Sequence, residues 1–130
     1  MAIEKLEAYR RTLEFTGLTV SELESLVTNA IDSNRRRATL NLGTQNDPLQ
    51  RLVTAIMYGS YIMPHMHPFK DEILKVLLGR VAVAEFDKYG ELLNADILVA
   101  GASNDSVEII KGQWHSVVCL PRRRGNIKDS

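Results

Sequence analysis

At 130 residues, with 45% apolar side chains and 16 acidic residues balancing 16 basic ones, the chain has the length and composition of one globular domain. That balance excludes the broad basic footprint that nucleic-acid phosphates demand, and Arg35 to Arg37 and Arg122 to Arg124 read as short solvated runs. A lone cysteine, Cys119, excludes an internal disulfide, and no window approaches the roughly 18 uninterrupted apolar residues of a membrane helix. Met1 to Arg11 interleaves Glu and Lys where a secretory signal needs a continuous apolar stretch, so a cytoplasmic protein with no membrane or nucleic-acid partner is expected.

Thr19-Val20-Ser21-Glu22 has the spacing of a capping box, and Val20, Leu23, Leu26, Val27, Ala30 and Ile31 then recur at helical spacing. A helix of about 13 residues should follow Thr19 and end near Asp32-Ser33-Asn34, whose side chains compete with the backbone for hydrogen bonds. With one capped helix and a short preceding segment, little room is left for a helix-turn-helix domain. From Arg37 onward, short segments alternate with turn residues, the signature of antiparallel β structure. Strands are expected over Ala38 to Leu42, Leu49 to Met57, Tyr61 to His67, Ile73 to Leu78, Arg80 to Asp87, Leu92 to Ala100, Ser106 to Ile110 and His115 to Leu120. Short strands without helical crossovers predict a mainly β sandwich or closed barrel, with the helix packed on one face. The expected organisation is a single domain: residues 1–36 as an N-terminal extension and helix, 37–120 as a barrel, and 121–130 as a polar tail.

All three histidines and one glutamate fall where strand geometry can bring them together. His65 and His67 are two apart on an expected strand, so both rings leave one face, roughly 7 Å apart at their backbones. After the turn at Pro68 to Asp71, Glu72 begins a face continued by Leu74, Val76 and Leu78, which points its carboxylate inward, where a buried charge needs a partner. His115 opens a later strand whose face continues through Val117 and Cys119, so it can close the site from across the barrel. A single histidine on an apolar face is most often an ordinary satisfied residue, but two neutral rings facing one interior leave unpaired nitrogens. Three imidazoles and a carboxylate suit one divalent transition metal, and Fe, Mn, Ni, Cu and Zn all fit the donor set.

The spacing Gly59-x5-His65-x-His67-x4-Glu72-x6-Gly79 resembles the first motif of the cupin superfamily at every defined position. In that superfamily the two histidines and the glutamate are metal ligands, and a further histidine comes from a second motif whose centre Gly112-x2-His115 matches. Asn104, Ile110 and Cys119 depart from the second motif at positions that are not ligands. From about Leu13 to Leu120 the chain is similar to the WbuC-type cupin metalloproteins, through Asn34-Arg35-Arg36-Arg37, Asn41, Asp47 to Leu52, Gly59-Ser60-Tyr61 and Pro64-His65-x-His67. The resemblance implies a double-stranded β-helix (jelly-roll) barrel, His65, His67, Glu72 and His115 as metal ligands, and a setting in surface-polysaccharide metabolism. Such chains usually continue past the last histidine strand, which here leads into Pro121-Arg122-Arg123-Arg124, so a homodimer that completes the barrel is expected.

Arg51, Tyr61 and Lys70 flank the ligand segment and are candidates to bind a carboxylate, hydroxyl or phosphate, although surface charges and half-buried tyrosines are commonly structural. Trp114 is expected to pack, and Cys119 to face inward as a small apolar residue. The leading functional expectation is a metal-dependent enzyme acting on a small polar molecule such as a sugar or nucleotide-sugar, by isomerisation or epimerisation. An Fe(II)-dependent oxygenase and a non-catalytic metal-bearing module that binds a sugar or effector are the alternatives.

Overall fold

The computed structural model describes residues 3–43, 46 and 51–121, and within them two compact units, one ending at Tyr61 and one beginning at Ile62. The expected turn at Asp47-Pro48, the start of the second expected strand at Leu49, and the Arg122 to Arg124 run lie outside the described residues.

The first unit contains α1 (Ile3–Thr16), α2 (Val20–Asp32), β1 (Arg37–Asn41) and β2 (Leu52–Ile56). α2 forms where the sequence places it. The Thr19 hydroxyl accepts from Glu22 N at 3.1 Å and the Glu22 carboxylate accepts from Thr19 N at 3.0 Å, which satisfies two of the amides left open at a helix start. At the other end Ser33 leaves the helical conformation, and its N–H closes on the Ala30 carbonyl. The buried residues of α2 are Leu23, Leu26 and Ala30, spaced three and four apart as one helical stripe requires, and the helix packs on β1 and β2. Those strands pair antiparallel from Arg37↔Ile56 to Asn41↔Leu52, with Thr39 and Thr54 hydroxyls 3.0 Å apart across the ladder.

Residues 3–16, expected only as an extension, form a second helix. The polar Thr12 is buried while Phe15 is 64% exposed, so the hydrophobic pattern here does not mark the buried face. The helix stops at Gly17, whose φ of +74° lets the chain turn left-handed while its N–H bonds the Leu13 carbonyl. Two helices joined by a short turn remove the lack of room as a reason against a helix-turn-helix. α2 nevertheless carries Glu22, Glu24 and Asp32 and no basic residue, the wrong charge for a helix laid against phosphates. No helix among the described residues is long and apolar enough to cross a membrane.

The second unit contains β3 (Glu72–Lys75), β4 (Arg80–Phe86), β5 (Leu92–Val99), β6 (Ser106–Ile109) and β7 (Trp114–Cys119), arranged as a β3-β6 pair and a β5-β4-β7 sheet, all antiparallel. With these strands the protein is mainly β. The ladders do not close into one hydrogen-bonded barrel among the described residues. The core draws on both sheets: Val83 and Leu98 from β4 and β5, Ile109 from β6 and Val76 just past β3, with Leu74, Val81, Val107 and Val117 against them. Period-2 alternation fixes which side chains face inward, so Val81, Val83 and Glu85 share one face of β4, and Cys119, Val117 and His115 share the matching face of β7.

The segment Tyr61 to His67, expected as a strand, is extended but forms no ladder, and only His65 makes a bridge, to His115. Pro64 lacks an N–H and Pro68 follows the segment directly, so neither can donate to a neighbouring strand.

Truncating Ile109, which is 1% exposed in the middle of this core, should cost about 2–5 kcal/mol, whereas Thr19→Ala should cost about 1 kcal/mol through the lost cap. Urea unfolding of both variants tests the assignment, and a loss below about 1 kcal/mol for Ile109→Ala would show that the site is not the tightly packed one.

Candidate metal centre

The site is built on β7 and the segment beside it. Gly112, at φ +81°, turns the chain out of β6, and its N–H bonds the His67 carbonyl at 2.8 Å. One residue into β7, His115 exchanges both backbone hydrogen bonds with His65, at 3.0 and 2.8 Å, and Ser116 Oγ donates to the Ile62 carbonyl at 2.5 Å. Asp71 accepts from Lys111 N at 2.8 Å, which holds the 68–71 turn against the β6–β7 turn. These bonds fix a short non-ladder segment beside β7 and bring His65 and His67 over His115.

The three rings form a triangle, with centroids 5.3 Å apart for His65 and His67, 4.4 Å for His65 and His115, and 5.5 Å for His67 and His115. One nitrogen of each lies within 4.8 Å of the others, close enough for all three to hold one metal ion. Glu72 reaches the same place from β3. Its Oε2 is 3.2 Å from His67 Nε2 and its Oε1 is 3.7 Å from His115 Nε2. His115 lies at the bottom, 1% exposed, whereas the His67 and Glu72 side chains are 39% and 35% exposed, so the cluster opens to solvent on their side.

The ring nitrogens are sorted by their hydrogen bonds. A carbonyl can only accept, so the contacts of His65 Nδ1 with the Met63 carbonyl at 3.0 Å and of His115 Nδ1 with the Gln113 carbonyl at 2.9 Å place the proton on Nδ1 in both neutral rings. Nε2 is then a bare lone pair. This is the arrangement by which backbone carbonyls orient metal-binding imidazoles. His115 Nε2 is buried and has no hydrogen-bond partner, an acceptor stranded in a desolvated position.

Cys119 shares the inward face of β7, and burial pushes its thiol up, which keeps it protonated and suits it to packing rather than to nucleophilic chemistry. Trp114 precedes His115 and therefore lies on the opposite face of the strand, in a shallow groove with Pro64, Phe86 and Tyr89, so it does not wall the histidine cluster. The remaining candidates are all exposed. Arg51 directly precedes β2, and its carbonyl accepts from Leu42 N. Tyr61 is 75% exposed, and its carbonyl, not its ring, is bound by Arg37. Lys70 sits in the turn between His67 and Glu72.

The structure adds one residue that the sequence reading passed over. Glu85 is the register partner of His115 across β4 and β7 and so projects from the same face. Because His115 gives both of its backbone groups to His65, its pairing with Glu85 is of the non-hydrogen-bonded type, in which Cα atoms lie only about 4.5 Å apart. The Val81-Val83-Glu85 alternation signals an inward carboxylate, but its neighbour is fixed by strand register, which spacing does not reveal.

A triad of imidazole nitrogens, one of them buried, with an adjoining carboxylate defines this unit as a candidate metal centre. Over residues 18–98 the chain matches the family described as Domain of unknown function (DUF6016), and it belongs to that family. No curated protein matches the chain, and no solved structure does.

The tautomers can be observed directly. In metal-free protein at a pH where the rings are neutral, 15N correlation spectra should show His65 and His115 protonated at Nδ1; Nε2–H signals for either ring would mean that its nitrogen is not poised to bind an ion.

Proposed function

We propose that the protein is a cupin-type metalloprotein that binds one divalent transition metal through His65, His67, His115 and Glu72 and acts as a metal-dependent enzyme on a small polar molecule such as a sugar or nucleotide-sugar. The observation that carries the reading is His115 Nε2: a bare lone pair, 1% exposed as a residue, with no donor to satisfy it and two further imidazoles beside it. Leaving such an acceptor unmet costs about 1–3 kcal/mol, and an ion removes that cost. The cupin-like spacing from Gly59 to Gly79 supports the same ligand set independently, because it contains His65, His67 and Glu72.

The donor set fits a metal on chemical grounds. Two of the three rings have the tautomer in which a carbonyl holds Nδ1–H and Nε2 is free, and Glu72 stands beside His67 and His115 to offset the ion's charge. A divalent ion held there would act as a Lewis acid toward an oxygen of the bound molecule. The chain's own contribution is orientation. β7 and the bridged segment fix the ligand nitrogens, and the solvent-exposed side by His67 and Glu72 leaves room for a small ligand to reach the ion.

Elemental analysis tests this. Metal-free protein offered Fe(II), Mn(II), Ni(II), Cu(II) or Zn(II) should retain about one ion per chain for at least one of them. The His65→Ala/His67→Ala double variant should retain none, and single truncation of His115 should weaken affinity by more than the 10–100-fold typical of changes around a metal's ligands. Equal retention by the wild type and the double variant, with both folded by circular dichroism, would overturn the reading.

A further inference from the structure

The face that surrounds His115 is polar in one particular way. Taken by register, the residues that share one face of β4, β5 and β7 nearest the cluster are Glu85, the exposed Asn94, Asp96 and His115, giving way to Val83, Leu98, Val117 and the apolar core. Asn94 Nδ2 donates to Asp96 Oδ2 at 3.2 Å, which ties the two side chains together on this face. The Glu85 carboxylate has no hydrogen bond or ion pair among the described residues, and no inward position on these three strands is basic. Unlike Glu72, whose oxygens lie 3.2 and 3.7 Å from His67 and His115 Nε2, Glu85 makes no such contact with a ring nitrogen, so it adjoins the candidate ion site without belonging to its donor set. A β-bulge between Glu85 and Phe86 shifts the pairing with β5 here, a device that commonly re-aims a side chain next to a functional site.

A second observation points to a ligand here. His115, the register partner of Glu85, carries the buried and unpartnered Nε2. A molecule bound to an ion at the histidines on the β4 side of His115 would therefore meet an anionic wall in the Glu85 carboxylate, which can only accept hydrogen bonds. Three ligand chemistries respond differently. An anion is attracted by the ion but repelled by Glu85, a cation is repelled by the ion, and a neutral hydroxyl can give its oxygen to the ion and its proton to the carboxylate.

Building on the metal-centre reading, we propose that Glu85 is a specificity-determining residue that accepts hydrogen bonds from the hydroxyl groups of a neutral polyhydroxy ligand at the ion and disfavours anionic ligands. This narrows the substrate class to the uncharged, vicinal-diol part of a sugar-like molecule and places any phosphate it carries away from this wall.

The test uses the full chain loaded with Co(II), whose visible bands report on what enters the ion's coordination, with azide as the anionic probe and glycerol as the neutral diol. Glu85→Gln should bind cobalt as the wild type does, should bind azide about tenfold more tightly, and should need about tenfold more glycerol to reach the same spectral change. Glu85→Asp, which keeps the charge, should resemble the wild type toward azide. Unchanged azide and glycerol titrations in cobalt-loaded Glu85→Gln would overturn this inference while leaving the metal centre intact. Loss of cobalt in Glu85→Gln as complete as in His65→Ala would overturn it too, by making Glu85 a ligand. Failure of the wild type to bind cobalt, or any other divalent transition metal, would remove the metal-centre reading and this inference with it.

Discussion

The reciprocal pair of backbone hydrogen bonds between His65 and His115 is the constraint on which the second unit's chemistry depends. It joins a proline-flanked segment that makes no ladder of its own to a regular strand, at the one residue where both partners carry an imidazole. Through it His65 is held over His115, His67 follows two residues on, and Glu85 becomes the narrow-pair neighbour of His115 on the other side of β7. The Ser116 hydroxyl to the Ile62 carbonyl and Gly112 N–H to the His67 carbonyl lock the segment at either end, so the cluster is positioned by bonds to its backbone rather than by the rings. A site held in this way is organised before any ion arrives, which lowers the ordering cost of binding.

That arrangement also sets protons and packing. Carbonyls of Met63 and Gln113, each two residues before its histidine, take the Nδ1 protons and leave both Nε2 lone pairs free. Further along the same inner faces, Val83 and Leu98 join Ile109 in the apolar core, while His115 is itself buried. The polar and apolar halves of one inner face thus adjoin. Burial of Cys119 on the same strand belongs to the apolar half, which is why its thiol is held protonated.

Much of this was legible in the sequence where the signal is local. The capping box at Thr19 located α2 to the residue, and turn residues located most strands to within one or two positions, because caps and turns are decided by neighbours in the chain. α1 was not legible, since its buried face includes Thr12 and its exposed face Phe15, an inversion that only tertiary packing can impose. The expected strand at Tyr61 to His67 failed because β-prone side chains could not compensate for Pro64 within the segment and Pro68 directly after it. The juxtaposition of His65, His67 and His115 followed from spacing and alternation, whereas Glu85 could not be placed beside His115 without the β4–β7 register.

The central claim is that imidazole nitrogens of His65, His67 and His115 meet on one ion. X-ray absorption at the metal edge of the loaded full-length chain measures this most directly, because imidazole rings give characteristic multiple scattering. The nearest shell should consist of nitrogen and oxygen donors containing three imidazoles, reduced to two by His115→Ala. A shell with no imidazole scattering, or one unchanged by the loss of His115, would contradict it.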